Sequence, residues 1–142
     1  SAEVIRYMNK LNHIVETALY VDDIAAARDF YVGVLGLEVL KDDSKTKRDL
    51  FLRCGNVGLF LFDPKQTQAS GGKVPAHGAL GAGHLAFSIP DSDFAGWREH
   101  LIKNGVAIET EVDWDHKGTH SIYFRDPSGN SLEFISDRHW SQ

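Results

Sequence analysis

The chain has 142 residues, is 42% hydrophobic and 25% charged, and carries a net charge of −5. That length holds one compact domain or two half-domains sharing a core. The acidic balance and scattered basic residues speak against nucleic acid, and no apolar run reaches membrane-spanning length. No secretory signal is visible. The single cysteine, Cys54, allows no intramolecular disulfide, so a cytoplasmic setting is expected. Cys54 closes the run Phe51-Leu52-Arg53 and reads as a buried strand end rather than a nucleophile.

In chain order, residues 1–10 read as an arm or short edge segment. Residues 12–21 predict a strand, in which Thr17, Leu19 and Val21 form the packing face and Glu16, Ala18 and Tyr20 the other face. Asp22-Asp23 is a cap signal for a helix over 23–35, with Ile24, Ala27, Tyr31, Val34 and Leu35 at helical spacing and Gly36 as its stop. Strands are expected at 37–40, 50–53 and 57–62, the last two as a hairpin about Gly55-Asn56. Asp63-Pro64 ends this unit. Residues 65–82, rich in Gly, Ser and Gln, read as a linker loop, with His77 a solvated residue or one that reaches a ligand.

The second half repeats the order. Residues 83–89 predict a strand with Leu85, Phe87 and Ile89 on one face and His84, Ala86 and Ser88 on the other. A helix over 92–104 carries Phe94, Trp97 and Leu101 and is stopped by Asn104-Gly105. Strands follow at 106–112, 121–125 and 131–135, the last two joined by the turn Asp126-Pro127-Ser128-Gly129-Asn130. Two copies of a strand–helix–strands unit are therefore expected. In both, the first strand opens with an ionisable residue followed by a small one on the same face, which suits a wall with its back on a helix and its front on a cavity.

Glu133 stands mid-strand in an apolar stretch, a costly place for a carboxylate unless it is paired, solvated by a cavity or bound to metal. Its counterpart in the first unit is Leu59 or Phe60, neither of which can ligate. If the two units pair about a pseudo-twofold axis, Glu16, His84 and Glu133 gather in one concave site.

The motifs "ETALYVDDIAAARDFYVGVLGLEV", "GHLAFSIPDSDFAGWREHLIKNGV" and "SIYFRDPSGNSLEF" resemble the vicinal oxygen chelate, or glyoxalase/bleomycin-resistance/dioxygenase, superfamily. The resemblance spans about residues 11–136. It implies an α+β fold of two paired βαβββ modules, about 11–64 and 83–136, forming a curved, barrel-like mixed sheet around a central cavity in a single domain of residues 1–142. It also implies one divalent ion (Mn²⁺, Fe²⁺, Ni²⁺ or Zn²⁺) and small-molecule substrates that chelate it through adjacent oxygens. Glu133 and His84 fall on the ligand positions of the second module. The first-module ligand lies seven residues before the capping Asp23, at Glu16. His13 is a rival, but it sits an odd number of residues from Glu16 and so on the opposite face of an unbulged strand.

Departures from the family narrow the reading. The fourth position of the four-ligand lyases is Leu59 or Phe60 here. The Thr and Lys of the fosfomycin thiol transferases are Ala18 and Asp113. One His of the extradiol dioxygenases is Glu16. The expected site has Glu16, His84 and Glu133 as metal ligands, Glu16 or Glu133 doubling as base, and Tyr20, Phe60, Ser121 and Tyr123 at the substrate, with Trp114 as a further aromatic wall. Two functions are weighed. One is a metal-dependent enzyme on a small oxygenated or electrophilic metabolite, a glyoxalase-like lyase or isomerase or a thiol-adding enzyme first and a ring-cleaving one second. The other is a metal-free sequestering protein of the bleomycin-resistance type. A homodimer is compatible with both.

Overall fold

Alternation in the first strand produces the buried face it foretells. In the computed structural model, which describes residues 10–46, 48–69 and 71–141, Leu19 and Val21 are buried while Glu16 is exposed. The strand β1 is shorter than expected, Glu16–Tyr20. It pairs in parallel with β4, Val57–Phe62, and the last bond of that ladder runs from the Gly58 amide to the Val15 carbonyl. Among the described residues no strand pairs with residues 11–14, and Leu11, Ile14 and Val15 project into solvent. The arm expected at 1–10 lies, apart from Lys10, outside the described residues.

Asp23 caps α1, Ile24–Arg28, by accepting from the Ala26 amide. The helix then widens into a π turn over Asp29–Val34, which places both Phe30 and Tyr31 in the core rather than one of them. Gly36 leaves it at a φ of +74°. β2, Glu38–Asp42, and β3, Asp49–Cys54, complete a sheet of order β1-β4-β3-β2. Gly55 supplies the positive φ of the two-residue β3–β4 turn. Cys54 ends β3 half-buried, and burial pushes its thiol pKa up.

The stretch read as unbroken linker contains one helical turn, α2, Pro64–Thr67. Asp63 caps it and Pro64 opens it, a signal present in the sequence as Asp-Pro. The second unit runs β5 (His84–Ile89), a short 3₁₀ turn at Asp91–Asp93, α3 (Phe94–Lys103), β6 (Ile108–Trp114), β7 (Thr119–Arg125) and β8 (Ser131–Ser136), with sheet order β5-β8-β7-β6. β6 extends two residues past its expected end, because Asp113 and Trp114 find partners in His120 and Thr119. The register shifts at the same place in both units, between Val39 and Lys41 and between Ile108 and Thr110. The fold is α+β, with two curved, unclosed mixed sheets.

One apolar core joins the units, running from Leu50, Leu52, Leu59 and Leu61 through Phe30 and Tyr31 to Ile122, Phe124, Leu132 and Phe134. The Asp126–Asn130 turn stitches them. Asp126 accepts from the amides of Ser128 and Asn130, from the Asn130 side chain and from the Tyr31 hydroxyl at 2.7 Å. Asn130 also donates to the Tyr20 carbonyl, Ser128 to Asp22, and His100 to the Val34 carbonyl.

Candidate functional site

Parallel pairing of β5 with β8 sets Ala86 opposite Glu133, and antiparallel pairing of β7 with β8 sets Tyr123 on its other side. The small Ala86 leaves room in front of the carboxylate. His84, two residues earlier on the same face of β5, reaches across until its Nε2 lies 3.3 Å from Glu133 Oε1. The other ring nitrogen, Nδ1, is 3.0 Å from the Ser131 carbonyl oxygen. A carbonyl only accepts, so Nδ1 carries the proton and Nε2 is left facing the carboxylate. Bare, that nitrogen opposes lone pair to lone pair; a proton or a cation between the two groups removes the conflict.

Glu133 is 7% exposed at its side chain and His84 is 53% exposed, so the pair has a closed back and an open front. Ser121, fully buried, donates to Glu133 Oε2 at 2.6 Å and accepts from the Trp114 indole at 2.9 Å. Tyr123 stacks on the His84 ring with centroids 6.4 Å apart. Partial burial and the neighbouring Glu133 charge raise its phenol above the ordinary value, which keeps it protonated.

Glu16 stands apart from this pair. Among the described residues, no group of three His, Cys, Asp or Glu side chains converges as a cation site. The reason is how the units meet. Tyr20, at the far end of β1, shares a cleft of about 260 Å³ with His84, Ala18 and Asn130. Glu16, four residues back along the strand, lies about 13 Å from Tyr20. It opens instead on a cavity of about 860 Å³ on the first sheet, with Phe51, Phe60, Phe62 and His77. Phe51 and Phe60 stack there at 4.2 Å, and Phe62 meets both edge-on. His77 lies edge-on to Phe62 and 2.6 Å from the Tyr20 hydroxyl, while its amide bonds to the Thr67 carbonyl. The linker thus does cross the first module's cavity. His13 is exposed and precedes β1. Of the substrate positions, Phe60 lines the large cavity, Tyr20 the small cleft and Tyr123 the His84 face, whereas Ser121 has both its bonds inside the protein. The Trp114–Ser121 contact carries no local signal in the sequence. It depends on the extension of β6 to Trp114, diagonal to Ser121.

The family model for the Glyoxalase/Bleomycin resistance protein/Dioxygenase superfamily matches residues 10–134. The metallothiol transferase FosB of Staphylococcus haemolyticus is 32% identical over 123 residues, covering 87% of this chain and 80% of the relative. Catechol-2,3-dioxygenase of Bacillus subtilis is 30% identical over 89% of this chain, which spans 42% of that protein. The crystal structure of lactoylglutathione lyase from Agrobacterium tumefaciens is 35% identical and superposes with a TM-score of 0.85 over 94% of this chain and all of that one. The chain belongs to the glyoxalase/bleomycin resistance protein/dioxygenase superfamily.

Proposed function

We propose that the chain is a divalent-metal-dependent enzyme acting on a small oxygenated or electrophilic metabolite, as a glyoxalase-like lyase or isomerase or by thiol addition, with ring cleavage second. The observation that carries this reading is the His84–Glu133 pair: an imidazole with its outer nitrogen proton committed and its inner nitrogen 3.3 Å from a buried carboxylate oxygen. This donor set suits a borderline divalent ion such as Mn²⁺, Fe²⁺, Ni²⁺ or Zn²⁺, and similar proteins include a metallothiol transferase and a lactoylglutathione lyase. A bound ion would supply polarisation of a substrate oxygen.

Glu16 completes the donor set from a second copy of the chain, because it is exposed and does not reach the pair within its own chain. A homodimer also sets the aromatic cavity of one copy opposite the His84 face of the other. Glu16, the ligand carboxylate that Ser121 does not hold, then doubles as the base for a substrate proton, and the protonated Tyr123 phenol hydrogen-bonds a substrate oxygen. Tyr20 and Phe60 bound the substrate from the first sheet.

The test is metal content after tag-free purification, paired with melting temperatures at saturating Mn²⁺, Ni²⁺ and Zn²⁺. About one ion per chain is expected, lost in Glu133→Gln and His84→Ala while the fold persists. Identical melting with and without every metal rejects the reading. A second reading, metal-free sequestration, is favoured by one observation, the Phe51–Phe60–Phe62 wall of the large cavity. It predicts ligand binding that survives a chelator.

A further inference from the structure

We infer that Trp114 is a positioning residue for Glu133, acting through Ser121, and that the two residues fix which carboxylate oxygen is offered to a cation. The inference rests on the metal reading above and concerns residues that carry no role in it.

The direction of each bond is forced. An indole N–H can only donate, so at the 2.9 Å Trp114–Ser121 contact the serine oxygen accepts. A serine hydroxyl has one proton, and the 2.6 Å contact to Glu133 Oε2 is where it goes. An ionised carboxylate accepts only, so these two contacts run Trp114 N–H to Ser121 O–H to Glu133 Oε2. Each bond polarises the next. Ser121 is fully buried and Glu133 nearly so, which shields the chain from competing water.

The consequence lies at the other carboxylate oxygen. With Oε2 engaged from behind, the carboxylate plane is held and Oε1 faces His84 Nε2 at 3.3 Å. His84 is held in the same manner by the Ser131 carbonyl. The two donor atoms therefore face each other before any ion arrives, and Glu133 would offer an ion Oε1 while Ser121 holds Oε2. Trp114 keeps the serine proton aimed. Without it, the serine oxygen loses the donor that fixes its position, and the hydroxyl can swing away from Oε2. Outer partners of this kind commonly change metal affinity 10–100-fold.

The experiment titrates the full chain with Zn²⁺ and Mn²⁺ by calorimetry in wild type, Trp114→Phe, Ser121→Ala and the double variant. It also follows the Trp114 indole N–H by ¹⁵N NMR, with the resonance assigned by its loss in Trp114→Phe. Each single variant is expected to bind about 10-fold or more weakly. The double variant is expected to lose little more than either single one, because both cut the same chain. The wild-type indole resonance is expected to move on adding Zn²⁺ and, without metal, in Glu133→Gln. Wild-type affinity in Trp114→Phe overturns the inference, as does an indole resonance unmoved by Glu133→Gln. If Trp114→Phe fails to fold, additive loss is unreadable and the indole resonance decides alone, assigned as the one of three that persists in Trp97→Phe and in Trp140→Phe. A wild-type chain that takes up no metal defeats the metal reading and the affinity role together. In that case a moving indole resonance in Glu133→Gln still separates an intact hydrogen-bond chain from an absent one.

Discussion

The Tyr31→Phe substitution isolates the link between the two units. It removes one oxygen and leaves the ring, so no cavity forms around a residue with no solvent exposure. What is lost is the 2.7 Å bond from the Tyr31 hydroxyl to Asp126 Oδ2. A hydrogen bond to a charged acceptor contributes about 1.5–3 kcal/mol. Asp126 keeps three other donors, the Ser128 and Asn130 amides and the Asn130 side chain, so the loss falls in the lower part of that range, about 2 kcal/mol. For a chain of this size that lowers the melting temperature by roughly 7 °C. Urea denaturation is the assay, with the midpoint moving and the slope unchanged, since the surface exposed on unfolding is the same. A loss under about 0.5 kcal/mol, the level of an ordinary surface substitution, would refute the view that the Asp126 turn depends on this hydroxyl to lock the units together.

Other outcomes follow from local geometry and charge. His120 sits between Asp113 at 2.6 Å and Glu111 at 2.7 Å. Partial burial works against its imidazolium, but the hydrogen bonds to Glu111 and Asp113 and their charges outweigh it and raise its pKa. A raised folded value means stability that is complete below the ordinary imidazole range near 6.5 and lost as pH climbs through the folded value; His120→Gln should abolish that loss in melting curves from pH 6 to 9. Glu111 shows the opposite sign. Arg98 first, then His120, draw its carboxyl down from 4.5 to about 2, so its contribution is present above 4.5 and disappears in acid, and Arg98→Gln should make the chain less resistant to acid in a pH titration of circular dichroism. Gly58→Ala puts a methyl 2.8 Å from the Phe60 ring and 3.4 Å from Glu16 Cβ. It should cost about 1–3 kcal/mol and turn Phe60, a change that aromatic NMR shifts of the large cavity would show; unmoved Phe60 signals would mean the ring has slack there.

Much of this protein is readable from residue order alone. Strand alternation separates Leu19 and Val21 from Glu16, and Leu85, Phe87 and Ile89 from His84, because side chains on a strand must alternate faces. The Asp23 cap, the Gly36 stop, the Gly55-Asn56 turn and the Asp126–Asn130 turn are local chemistry, and each folds where its residues demand. Glu133 stands out because an unpartnered carboxylate in a buried strand is too costly to be accidental. The internal repeat then places His84 beside it, and the register of β5 on β8 brings the two together.

Tertiary structure decided everything that depends on how one element ends against another. Whether β1 begins at residue 12 or at Glu16 depends on where β4 runs out, since a strand without a neighbour has no ladder. The π turn after Arg28, with Phe30 and Tyr31 both buried on it, leaves no mark in the helical period of the sequence. Glu16 and His84 look like equivalent positions in two repeats. Their separation arises because the units meet at the Tyr20 end of β1, a long-range choice of orientation carried by Asn130, Asp126 and Tyr31. Ser121 reads as a surface residue of a cavity in the sequence and becomes a buried relay only once β6 lengthens to bring Trp114 over it. Short-range physics wrote the elements and their faces; contacts between residues dozens of positions apart settled which of those faces share a site.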